Sequence, residues 1–122
     1  MMMTSLLTAA QPMPPQPPLV RIAEIDIDPT QAEAYMAAVS EEIRTSVRVE
    51  PGVLAIYSVA EKENPSRFHF FEIYADEVAY QTHLQSPQFK KYAAATQTMI
   101  RSKKLIETIP IELQAKPAAG QK

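Results

Sequence analysis

Cysteine and tryptophan are absent from the 122 residues, histidine and glycine occur twice each, and no apolar run approaches the ~20 residues that a bilayer span needs. A membrane-spanning role is therefore excluded. Without cysteine there are no disulfides, thiolate nucleophiles, thiolate zinc sites or iron–sulfur clusters, while the redox compartment stays open. The two histidines, His69 and His83, have opposite strand and helix settings and no thiolate to complete a tetrahedral set, so no metal is expected. Gly52 is the one glycine within the region that reads as folded. A phosphate-cradling loop and a G-x-S-x-G nucleophile turn are both missing, which argues against nucleotide cofactors and a serine triad. Basic residues number 12 against 14 acidic ones, for a formal charge of −2. Nucleic acid is not an expected partner, because phosphate-backbone binding needs a basic excess.

Proline is abundant, and it is concentrated at the start. Five prolines fall between positions 12 and 18, and residues 1–18 carry no charge. This composition reads as a disordered, extended leader. The leader lacks the basic start and apolar stretch of a secretory signal, so a cytoplasmic location is the expectation. Residues 114–122 have no periodic pattern and read as a disordered tail. One domain is left, over residues 19–113.

Within it, residues 19–27 alternate as a strand, with Leu19, Arg21, Ala23, Ile25 and Ile27 sharing one face. Asp28-Pro29 signals a helix start, with Thr30 and Glu33 as an alternative capping box. Ala32, Tyr35, Met36, Val39, Ile43 and Val47 recur at helical spacing up to about Arg48. Glu50-Pro51-Gly52 ends the helix, and strands over 53–60 and 67–75 flank a polar hairpin. Asp76 caps a helix to Leu84, Ser86-Pro87 starts another that should end near Ile100, and residues 103–113 form a last strand. The order βαββαβ makes an α+β fold with an antiparallel sheet in the ferredoxin-like arrangement. Two helices cover one sheet face only. The strands are apolar on both faces, with Val53, Ala55, Tyr57 and Val59 opposing Leu54 and Ile56, so the second face is expected to close on another copy, as a homodimer.

Phe68, Phe70, Glu72 and Tyr74 share one face of the third strand, which sets a carboxylate in an aromatic row. Ala79, Tyr80, His83 and Leu84 share one side of the following helix, so His83 aims inward. If that helix covers Glu72, the two come within range of each other, and a carboxylate near an imidazole fixes its tautomer and supports proton transfer near neutral pH. A hydrogen-bonded structural histidine is the competing reading, with Glu72 capping a buried donor or meeting Arg21. The basic cluster of Arg101, Lys103 and Lys104 reads as a solvated strand start, with no site assigned.

The runs Glu50-Pro51-Gly52-Val53-Leu54, Asn64-Pro65-Ser66-Arg67-Phe68, Phe71-Glu72-Ile73-Tyr74-Ala75-Asp76-Glu77 and His83-Leu84-Gln85-Ser86-Pro87-Gln88-Phe89 stand in ordered spacing. Together they resemble the antibiotic biosynthesis monooxygenase family, with its quinol-monooxygenase-like members and its autoinducer-2 phosphate isomerase. The resemblance spans residues 19–113 and implies a dimeric α+β barrel. The family's recurrent polar pocket residues match Glu72 and His83. Its EPG glutamate matches Glu50, for which a structural role is favoured. Many members carry histidine where this chain has Gln88, and the haem-degrading branch uses a tryptophan and a first-strand asparagine, which this chain lacks.

The resulting expectation is a cofactor-independent monooxygenase acting on a quinol, phenol or polycyclic aromatic held among Tyr57, Phe70, Tyr74, Phe89 and Tyr92. His83 would remove a substrate proton and Glu72 would orient or share it. An isomerase working by enolisation in the same pocket and a non-catalytic small-molecule-binding module are the alternatives.

Overall fold

The computed structural model describes residues 17–117. The proline-rich leader falls, apart from its last two residues, outside the described residues, as does the tail after residue 117. β1 (Leu19–Ile27) leads through a single 3-10 turn (Pro29–Gln31) into α1 (Ala32–Val49), and β2 (Val53–Ala60) and β3 (Arg67–Tyr74) form the hairpin. α2 (Glu77–Leu84), α3 (Pro87–Thr96) and β4 (Ile100–Glu107) complete the chain. The sheet order is β2-β3-β1-β4 with every pair antiparallel, which is the ferredoxin-like arrangement.

Asp28 starts the first helical segment. Its carboxylate accepts from the backbone N–H of Thr30 at 3.0 Å and from the Thr30 hydroxyl at 2.8 Å, while Pro29 supplies a pre-set φ. The sheet's inner face then buries Ala23, Ile25 and Ile27 of β1 with Phe68 and Phe70 of β3 against Tyr35 and Val39 of α1. Tyr74, Val53 and Ile56 make a second cluster with Ile43, Ala79 and Tyr80 packed on it. Burying each of these large side chains contributes about 1.5–3 kcal/mol. Gly52 is required by close approach, since a Cβ there would lie 2.5 Å from the Ala79 Cβ.

Four sequence expectations are corrected. A β-bulge between Val53 and Ala55 shifts the β2 register, so Val53 and Ile56 both face inward while Ala55, Tyr57 and Val59 share the outer face. Tyr57 is thereby removed from the helix side of the sheet; it pairs with Phe71 and is 59% exposed. The inward stripe of α1 is Tyr35, Val39, Glu42 and Ser46, whereas Met36 and Val47 are both 43% exposed. α3 stops at Thr96, where the Thr96 hydroxyl donates to the Tyr92 carbonyl and Met99 N–H closes a turn on the Thr96 carbonyl. β4 begins at Ile100, because the Met99 carbonyl is already engaged by Asp28 N–H and Ile100 pairs with Ile27. It ends at Glu107: the Thr108 hydroxyl caps the Val20 carbonyl, and Pro110 has no N–H for a ladder.

Candidate active site

The α2–α3 corner is built by one dipeptide. The Ser86 hydroxyl donates to the His83 carbonyl at 2.7 Å and accepts from Phe89 N–H at 3.2 Å, and Pro87 opens α3. Ser86 thus closes one helix and caps the next, so His83 in the last turn of α2 and Gln88 in the first turn of α3 confront the same partners. Those partners are Glu42, Ser46 and the C-cap residue Glu50, spaced at i, i+4 and i+8 along α1, which puts all three on one helix face.

His83 lies between two of them. Its Nε2 is 3.1 Å from Glu42 Oε1 and its Nδ1 is 2.8 Å from Glu50 Oε2. Gln88 Nε2 donates to the same Glu50 oxygen at 2.7 Å and to Ser46 Oγ at 3.1 Å, and Ser46 Oγ donates to Glu42 Oε1 at 3.1 Å. Ionised carboxylates accept only, so the form of His83 that serves both is the imidazolium, with an N–H on each ring nitrogen. Burial opposes that charge, but the hydrogen bonds to Glu42 and Glu50 outweigh it and hold His83 above the ordinary histidine range. The side chains of His83, Glu42 and Glu50 are 4%, 6% and 12% exposed, so the triad is a largely desolvated ion network.

Glu72 has a different partner. Tyr74, two residues on and on the same strand face, donates its hydroxyl to Glu72 Oε1 at 2.7 Å. Burial pushes the Glu72 carboxyl above its usual range; the Tyr74 hydrogen bond and the His83 charge pull the other way without cancelling it. No hydrogen bond joins Glu72 to His83. Tyr74 touches both, with its ring 5.4 Å from the imidazole and its hydroxyl on Glu72. From there the aromatic contacts run from His83 to Phe89 at 5.1 Å and from Phe89 to Tyr92 at 5.7 Å, and the Tyr92 hydroxyl meets that of Tyr35 at 2.7 Å. Burial drives the Tyr35, Tyr74 and Tyr92 phenols upward, so all three stay protonated.

Between sheet and helices these residues enclose a cavity of ≈ 70 Å³. Phe70, Glu72, Tyr74, His83, Phe89 and Tyr92 line it, joined by Glu42 from α1 and by Lys103 and Leu105 from β4. Of the residues named from sequence, six converge on this space and Tyr57 does not. Glu42 and Ser46 were not anticipated, although the spacing of Tyr35, Val39, Glu42 and Ser46 sets both on the apolar stripe, a position where a polar side chain needs a buried partner. Glu50 and Gln88 belong to the network as well. Among the described residues no group of three His, Asp or Glu side chains is arranged to hold a metal ion, and no helix is long and apolar enough to cross a membrane.

The same architecture recurs in known structures. A candidate antibiotic biosynthesis monooxygenase from Bacteroides thetaiotaomicron superposes with a TM-score of 0.79 at 46% identity, over 81% of this chain and 96% of that one. A candidate monooxygenase from Lactobacillus acidophilus gives 0.74 at 29% identity over 75% of this chain, which spans only 44% of that longer protein. A candidate antibiotic biosynthesis monooxygenase from Caulobacter crescentus, at 19% identity, shares the fold with a TM-score of 0.74 over 80% of this chain and 93% of that one. No curated protein sequence matches. The sequence profile described as antibiotic biosynthesis monooxygenase matches residues 18–95. With well over half of the chain covered by that profile, and with the sheet order and helix placement in agreement, the protein belongs to the antibiotic biosynthesis monooxygenase family.

Proposed function

We propose that this chain is a monooxygenase that oxidises a small phenol or quinol with dioxygen and without a bound cofactor, with Glu72 as the proton acceptor. The observation that carries the reading is a half-buried carboxylate facing an aromatic-walled cavity. A base is most useful when its pKa approaches the working pH, and burial moves Glu72 in that direction. His83, expected from sequence to be the base, has both nitrogens committed to carboxylates. Its role in this reading is to hold α1, α2 and α3 around the cavity and to place a positive charge at one wall.

Removal of a hydroxyl proton by Glu72 leaves an electron-rich anion that reduces dioxygen. A hydroperoxide forms at a ring carbon, and loss of water from it leaves a carbonyl, so one oxygen atom is retained and the other departs as water. The cavity has about half the ~150 Å³ that houses a benzene ring, so a single ring must also occupy the mouth beside β4. A polycyclic substrate suits this space less well than a phenol or quinol.

Leu54, Tyr57, Val59 and Phe71 expose apolar area away from the helices, and this reading pairs that face with a second copy as a homodimer. Oxygen uptake by chelator-treated protein with a panel of phenols and hydroquinones tests the activity. Uptake in wild type that falls at least about a hundredfold in Glu72→Gln is expected. Wild-type protein that turns over a panel member without consuming oxygen would favour enolisation by the same carboxylate, and uptake unchanged in Glu72→Gln would remove Glu72 as the base.

A further inference from the structure

Arg101, Lys103 and Lys104 are adjacent in sequence, yet the strand separates them. Lys104 pairs with Glu24 on the outer face, and the guanidinium of Arg101 reaches Asp28 at 3.5 Å. Lys103 sits opposite Ile25 on the helix side of the sheet, where it lines the cavity with Leu105 two residues on. β4 is an edge strand, and Lys103 there is exposed. Among the described residues no carboxylate lies within 4.0 Å of its ammonium. Of the other charged groups lining the same space, Glu42 and His83 are buried, and Glu72 is half-buried, within reach of the Lys103 charge.

The cavity is therefore polarised along its length. Inside, Glu42 and Glu72 outnumber the His83 cation, so an anionic substituent is disfavoured there and attracted by the unpaired cation outside. A neutral hydroxyl, in contrast, finds an acceptor inside in Glu72. We propose that Lys103 makes the protein selective for hydroxylated single-ring aromatics that carry a carboxylate, the carboxylate held at the mouth by Lys103 and the hydroxyl directed inward to Glu72. The proposal rests on the reading of this cavity as the substrate site. It adds the substrate's charge, and with it the direction in which the ring enters. Charge-assisted hydrogen bonds of this kind are about twice as strong as neutral ones, and at the mouth the contact remains sensitive to salt.

The test is binding, measured by calorimetry under argon so that no turnover interferes. The probes are 2,5-dihydroxybenzoate and its uncharged methyl ester, and the proteins are wild type, Lys103→Met and Lys103→Arg. Wild type is expected to bind the acid roughly tenfold more tightly than the ester, and Lys103→Met to bring the two within about twofold. Lys103→Arg should restore the preference, and 1 M salt should shrink it in wild type. Equal binding of acid and ester by wild type overturns the proposal. So does a preference that survives in Lys103→Met, or failure of both probes to bind at millimolar concentration. Because oxygen is excluded, a preference of the expected size accompanied by no oxygen uptake in a separate assay would overturn the oxygenase reading alone.

Discussion

Replacing His83 by leucine conserves much of the side-chain volume but removes the cation between Glu42 and Glu50. The two carboxylates keep Ser46 and Gln88 as donors and lose the charge that balances them. Breaking a buried ion pair by deleting one partner costs about 3–5 kcal/mol, because the other charge remains desolvated. Set against a total stability of roughly 5–15 kcal/mol, this is a large fraction, equivalent to about 10–20 °C in Tm for a domain of this size. The deficit should depend on pH. Since the folded-state pKa of His83 is raised, its stabilising contribution is fully present below the unfolded value near 6.5 and is lost as pH rises through the folded value. The gap between wild type and His83→Leu should therefore be widest at and below about pH 6.5 and narrow as pH rises through the folded value. Urea denaturation followed by far-ultraviolet circular dichroism at about pH 4.5, 6.5 and 9 measures it. A deficit under about 1 kcal/mol, or one that is flat with pH, would refute the assignment of His83 as an imidazolium clamp. Converting Glu42, His83 and Glu50 together to leucine should recover much of the loss, as apolar replacement of a whole buried ion network often does.

Glu72→Gln should raise the urea midpoint while lowering oxygen uptake. The raised carboxyl pKa means that ionised Glu72 destabilises the fold as pH rises through its folded value; glutamine removes that cost and can still accept from Tyr74. A lower midpoint above pH 7 would contradict this. Tyr57→Asp places a charge on the outer face without touching the cavity, and should shift the light-scattering mass of the proposed homodimer toward the monomer; a dimer mass unchanged by the substitution would place the interface elsewhere, and a monomeric wild type would remove the dimer proposal. Gly52→Ala should cost about 1–3 kcal/mol in urea denaturation, because the new methyl group meets Ala79 at 2.5 Å; a loss below about 0.5 kcal/mol would mean that α2 moves freely to accommodate it.

Much of this protein is determined by local chemistry, and so can be read from residues in order. Asp28-Pro29, Asp76 and Ser86-Pro87 start helices because each offers an oxygen to free N–H groups or a pre-set φ, and those needs are met within a few residues. Alternation along β1 and β3 likewise assigns Ala23, Ile25, Phe68, Phe70, Glu72 and Tyr74 to one face, since the strand period is two wherever the backbone is regular. Tyr57 is different: a bulge adds one residue to β2 and reverses the faces beyond it, and only pairing with β3 selects that register. The end of α3 depends in the same way on Ile100 being drawn into the ladder with Ile27. The partners of His83 lie 33 and 41 residues away on α1, and the rotation that turns Glu42 and Ser46 inward, exposing Met36 and Val47, pays off only when His83 and Gln88 are there to meet them. Sequence spacing determined that an imidazole and a carboxylate would face the cavity. Tertiary packing decided which carboxylates surround the imidazole, because a buried charge is tolerated only where distant elements supply its counter-charge.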